Sequence, residues 1–97
     1  MKINLENTNW NYPTPIRFGI DRVKELSLFI DELKISNPLI VTDPQFREVN
    51  QFKGIIDSLN NSNKNYSIFS EIKGNPTGTN IRDGVDVFLK NKNDGVI

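Results

Sequence analysis

Ninety-seven residues suffice for one small domain. Twelve basic and twelve acidic side chains cancel and are scattered singly, so no basic stripe favours nucleic acid or a membrane surface. Cys and His are both absent, which excludes disulfides and thiolate nucleophiles, and removes the commonest general base and the commonest transition-metal ligand.

The polar start, Met1 to Glu6, does not resemble a secretory signal, and no apolar run reaches membrane-spanning length. The expectation is a cytoplasmic protein. Trp10-Asn11-Tyr12-Pro13-Thr14-Pro15 reads as extended, because its two prolines bar helix. Ile16-Arg17-Phe18 alternates like a short strand and stops at Gly19. Trp10, Tyr12 and Phe18 are read as core anchors rather than a stacking surface, and Arg17 as a solvated strand-face residue.

Asp21 is placed to cap a helix running to Lys34, whose apolar stripe is Val23, Leu26, Phe29, Ile30 and Leu33. Asn37-Pro38 is expected to end it. Leu39-Ile40-Val41 is wholly apolar, as in a strand covered on both faces. A second helix is predicted from about Val49 to Leu59, with Val49, Phe52, Ile55, Ile56 and Leu59 on one side. Gly54 inside it costs about 1 kcal/mol relative to Ala, so compensating packing is expected around it. After the polar loop Asn60 to Asn65, the next strand begins at Tyr66 and runs to about Ile72.

Beyond the turn Gly74 to Gly78, a third helix is predicted from near Asn80, with Asp83 completing a capping box and Ile81, Val85, Phe88 and Leu89 as its stripe. Gly95-Val96-Ile97 reads as one more buried strand. The order strand, helix, strand, helix, strand, helix, strand predicts an α/β fold: a partial Rossmann-like parallel sheet with alternating helices in three layers, α/β/α.

Ligands of such sheets bind beyond the carboxyl ends of the strands. That edge holds Thr42-Asp43-Pro44, the turn Gly74 to Gly78, and whatever follows Ile97. Asp43 is placed to accept hydrogen bonds from both hydroxyls of a nucleotide ribose, and its charge would repel a 2′-phosphate. The competing reading is that Asp43 caps a short helix begun by Pro44. Asn75 could offer its amide to a ligand, or belong to an ordinary Asn-Pro-Thr-Gly turn. No glycine-rich phosphate loop occurs in these residues.

Five segments, in order, resemble the amino-terminal part of the iron-containing alcohol dehydrogenases: Tyr12 to Gly19, Arg22 to Leu26, Pro38 to Pro44, Gly74 to Thr77, and Asp94 to Ile97. The resemblance implies an incomplete amino-terminal NAD(P)-binding domain over residues 1–97, from enzymes that interconvert alcohols with aldehydes or ketones by hydride transfer, commonly as dimers. It implies that Asp43 contacts the adenosine ribose, favouring NAD over NADP, and that Asn75 also lies at the cofactor. The family's Gly-Gly-Gly-Ser pyrophosphate loop would follow Ile97. Its helical carboxyl-terminal domain, which binds iron or zinc through one Asp and three His, has no counterpart here. The chain alone is therefore expected to bind no metal and perform no chemistry. The expected partners are a second copy, or a separately encoded carboxyl-terminal half on which the chain docks as a non-catalytic module.

Overall fold

The computed structural model describes residues 7–11, 14–73 and 77–97, with the main chain alone at Trp10 and Asn11. Its elements are strands β1 (Thr8–Asn11) and β2 (Pro15–Phe18), helix α1 (Leu26–Glu32), β3 (Pro38–Val41), α2 (Asn50–Asn61), β4 (Ser67–Phe69), α3 (Gly78–Lys90) and β5 (Gly95–Val96). Single 3-10 turns at Arg22–Glu25 and Phe46–Glu48 lead into α1 and α2. Among the described residues no helix is long and apolar enough to cross a membrane.

β3, β4 and β5 form a parallel sheet in the order β4-β3-β5. The first predicted strand lies outside it. β2 instead pairs antiparallel with β1 as a separate hairpin, Thr8 opposite Phe18 and Asn11 opposite Pro15. A short connection between two extended segments favours a hairpin, whereas a parallel pair needs a long crossover. Phe18, expected as a core anchor, is exposed. Arg17 is more than a solvated charge: its guanidinium lies 3.8 Å above the centre of the Phe29 ring and 3.4 Å from Glu32.

Register explains the three layers. Ile40 pairs with Ile68 and Val41 with Phe69, so alternate residues serve opposite faces of the sheet. Ile40 and Ile68 pack with Ile30, Phe52 and Leu59 of α1 and α2 to form the core. Leu39, Val41, Phe69 and Val96 face α3 on the other side. Pro38, Leu39 and Ile40 are buried, as the uninterrupted apolar run predicts for a central strand.

Helix boundaries depart from expectation in instructive ways. Asp21 sits in the left-handed region (φ 57°) and makes no capping bond, so the chain first forms a 3-10 turn rather than an α-helix. All three helices end in the same motif. Lys34, Asn63 and Lys92 adopt left-handed φ values of 58°, 55° and 55°, and the next N–H reaches back five residues to the carbonyls of Ile30, Leu59 and Phe88. α1 therefore stops before Asn37-Pro38. The predicted strand to Ile72 is only three residues long, because the chain leaves the sheet at Ser70. The capping box of α3 is formed by Thr77 and Asn80, not by Asp83.

Gly54 finds no compensating packing: a Cβ there would meet nothing within 4 Å. Gly54→Ala is therefore expected to stabilise the chain by about 1 kcal/mol, read as a higher urea midpoint at unchanged slope. An unaltered or lower midpoint would contradict this packing.

A polar clamp joins the amino ends of β3 and β5. Asp94 accepts from the Ser36 N–H (2.8 Å), the Ser36 hydroxyl (2.8 Å) and the Asn37 N–H (2.7 Å). These bonds, led by the one from the Ser36 N–H, hold its pKa below the ordinary aspartate value. A lowered folded value means that the clamp's contribution is complete above the unfolded pKa of about 3.9 and is lost as pH falls through the folded value. Urea midpoints should thus drop on acidification below about pH 4, and Asp94→Asn should lower the neutral midpoint while flattening that acid limb. A parallel acid limb in the variant would remove Asp94 as its source.

Candidate functional site

The carboxyl end of the sheet is built around a reversal. β3 is followed by α2, which packs on the Ile40 face; β4 is followed by α3, which packs on the Phe69 face. β3 and β4 are neighbours, so the chain leaves adjacent strand ends toward opposite faces of the sheet, and the segments after β3 and β4 form two lips of that edge. In the order β4-β3-β5 the strand order reverses between β3 and β5, and open α/β sheets bind their ligands beyond the carboxyl ends of the strands at such a switch point.

Asp43 stands on one lip, directly beyond β3. Its side chain is exposed, and its Oδ1 accepts from the Phe46 N–H at 2.7 Å. The capping role foreseen for it is therefore present, in a 3-10 turn. Its Oδ2 has no hydrogen-bond partner among the described residues. One oxygen orients the carboxylate while the other faces solvent. Both readings of Asp43 are thus compatible in a single geometry.

The other lip follows β4 and is described at Ser70 to Lys73 and again at Thr77. Asn75 lies outside the described residues, but both flanks of its loop are defined. The buried Asn80 Oδ1 accepts from the Lys73 N–H (3.4 Å) and the Thr77 N–H (3.1 Å), while its Nδ2 donates to the Glu71 carbonyl at 3.1 Å. One side-chain amide thus ties the loop's entry to its exit. Sequence reasoning missed Asn80 because it expected the capping box one turn later. The pattern Thr-x-x-Asn was the available clue, with Asn in place of the usual Glu or Gln. Arg47 links the lips, its Nη1 donating to the buried Ser70 Oγ at 2.8 Å.

A cavity of about 470 Å³ lies elsewhere, between the β2 end and α1, lined by Arg17, Phe18, Arg22, Val23 and Phe29 among others. Its cations are already engaged: Arg17 with Glu32 and Phe29, and Arg22 with Glu25 at 2.7 Å and the Thr8 carbonyl. Among the described residues no group of three or more acidic side chains lies together, and the sequence has no His or Cys. The donor set does not fit iron or zinc.

Residues 13–97 match the family described as iron-containing alcohol dehydrogenase. A choline dehydrogenase of Bacillus subtilis (strain 168) is 26% identical over 85 residues, which are 88% of this chain and 21% of that protein. A mitochondrial hydroxyacid-oxoacid transhydrogenase of Xenopus tropicalis is 22% identical over 82 residues, 84% of this chain and 18% of the relative. Among solved structures, a 1,3-propanediol oxidoreductase superposes with a TM-score of 0.72 at 26% identity, over 76% of this chain and 19% of its own. An alcohol dehydrogenase from Oenococcus oeni shares the fold, with a TM-score of 0.69 at 22% identity over 76% of this chain and 20% of its own. The chain spans about a fifth of the length of these relatives. With the family match covering nearly the whole sequence and the parallel sheet agreeing with it, the chain belongs to the iron-containing alcohol dehydrogenase family.

Proposed function

We propose that this chain supplies the adenosine-ribose side of an NAD(P) site in an alcohol–aldehyde oxidoreductase. The observation that carries this reading is Asp43: an exposed carboxylate beyond the carboxyl end of the central strand β3, beside the switch point between β3 and β5, with one oxygen held by the Phe46 N–H and no partner for the other among the described residues. Its Oδ2 accepts from ribose hydroxyls, and its charge favours NAD. Asn75 adds an amide from the facing loop, whose ends Asn80 positions. The bound dinucleotide would supply hydride exchange with a carbon of the alcohol. This chain's part is to hold and orient its adenosine end.

Titration of the ¹⁵N-labelled 97-residue chain with NAD, followed by NMR, tests this. Shifts should concentrate at Thr42 to Arg47 and Ser70 to Lys73, at millimolar ligand, and Asp43→Ala should abolish them. Shifts confined to the cavity between Phe18 and Phe29, or none at all, would sink the reading. No alcohol oxidation is expected from the purified chain with NAD and primary alcohols, and measured turnover would overturn that.

A second role has its own observation. Ile81, Val85 and Leu89 of α3 are 65%, 50% and 66% exposed, and Val96 of the edge strand β5 is 60% exposed. Ile81, Val85 and Val96 border an apolar cleft of about 390 Å³ between α3 and the sheet. Apolar faces of this kind bind other protein surfaces. This face is where a separately encoded carboxyl-terminal part of a family member, or a second copy of the chain, docks. Co-expression with the carboxyl-terminal four-fifths of a family member should yield a co-purifying pair that Leu89→Asp disrupts. A chain that stays monomeric and ignores that partner removes the motive for docking.

A further inference from the structure

The cavity between the β2 end and α1 combines two features that the strand-end reading leaves unused. Arg17 and Arg22 both line it, together with the apolar side chains of Phe18, Val23, Leu26 and Phe29. Phe18 and Val23 are exposed. Small-molecule sites are typically concave spaces of about 300–1,000 Å³, mostly apolar, with a few polar groups that fix orientation. At about 470 Å³ this cavity has that size and that mixture.

The partners of the two arginines leave them donors to spare. A guanidinium carries five N–H donors in a planar fork that matches a carboxylate. Among the described residues Arg17 spends one, on Glu32 at 3.4 Å. Arg22 spends two, on Glu25 and on the Thr8 carbonyl. The contact with Glu32 is long and both its side chains are exposed, so an incoming anion displaces it at little cost. The Phe29 ring, 3.8 Å from the Arg17 guanidinium, holds that group in place while leaving its N–H edge available. Glu25 and Glu32 offset much of the double positive charge, which suits a singly charged ligand better than a phosphate dianion. The walls offer apolar surface and no partners for sugar hydroxyls. We propose that this cavity binds a small organic monocarboxylate, its carboxylate on Arg17 and Arg22 and its aliphatic chain or ring against Phe18, Val23, Leu26 and Phe29. The site shares no residue with the segments beyond β3 and β4 and stands independently of the role given to Asp43.

NMR titrations of the ¹⁵N-labelled 97-residue chain with hexanoate, hexanamide and acetate test this. Hexanoate should shift the amides of Arg17 to Gly19, Arg22 and Phe29 and bind at least about fivefold more tightly than its neutral amide. Acetate, which lacks the apolar chain, should give no shifts at the same concentration. Arg17→Gln is expected to weaken hexanoate about fivefold while hexanamide changes less than about twofold. Glu32→Gln, which removes the competing carboxylate, should tighten hexanoate by about twofold. Arg22 is left unchanged, because its bond to Thr8 ties the hairpin to the following turn. Equal affinity for hexanoate and hexanamide, or an Arg17→Gln chain that binds hexanoate as the parent does, overturns the assignment. Shifts centred on Ile81 and Val85, or none from any of the three, overturn it as well.

Discussion

Leu59→Ala is expected to lower stability by about 3 kcal/mol, which leaves the chain barely folded at room temperature. Leu59 is fully buried, in the cluster that joins α2 to Ile30 of α1 and Ile40 of the central strand. Shortening it removes transfer free energy and leaves a void lined by neighbours from three elements, which cannot all move inward. Its carbonyl also closes the end of α2 by accepting from the Lys64 N–H at 3.0 Å, a bond the substitution leaves intact. The loss should thus appear as packing rather than fraying. Urea denaturation followed by circular dichroism measures it. A two-state transition within about 1 kcal/mol of the parent would show that the core is not organised around Leu59.

Gly95→Ala should destabilise by about 1–3 kcal/mol, although Ala is the smallest addition available. A Cβ at position 95 would lie 2.5 Å from Ile35 Cδ1, 2.8 Å from Cγ1 and 2.9 Å from Cγ2. Turning the end of the Ile35 side chain clears only the first contact. The other two yield only to a different χ1 rotamer of the β-branched Ile35 or to a shift of main chain where β5 pairs with β3, Pro38 opposite Gly95. The diagnostic measurement is a double-mutant cycle. With Ile35→Ala as background the clash disappears, so the pair should cost less than the sum of the single changes. Simple additivity would mean that the approach of β5 to Ile35 is not what demands glycine.

Much of the core of this fold was legible along the chain. The apolar run Leu39 to Val41 could bury both faces only as a central strand, and the spacing of Phe52, Ile55, Ile56 and Leu59 could form only a helical stripe. Both readings survive in the structure. The same spacing logic predicted a stripe on α3, which is present, yet Ile81, Val85 and Leu89 are largely exposed. Periodicity reports which residues share a face, not what stands opposite.

What the sequence determined by itself was the alternation of strands and helices around the parallel sheet, the placing of Asp43 at a strand end, and the exclusion of thiolate and histidine chemistry. These depend on residue type and local spacing, which are properties of short stretches. Tertiary structure decided the rest. It paired the first predicted strand into a hairpin instead of the sheet and put β3 between β4 and β5, so that Asp43 stands beyond the central strand. It assigned Asn80 to the loop that carries Asn75, and drew Arg47 across to Ser70. Those relations join residues 9 to 23 positions apart, and no local pattern encodes which of many distant polar groups will meet. Chain reversal at the helix ends passes through Lys34, Asn63 and Lys92; asparagine adopts the left-handed conformation readily, but lysine does not, so nothing in the residue type signals the stops at Lys34 and Lys92.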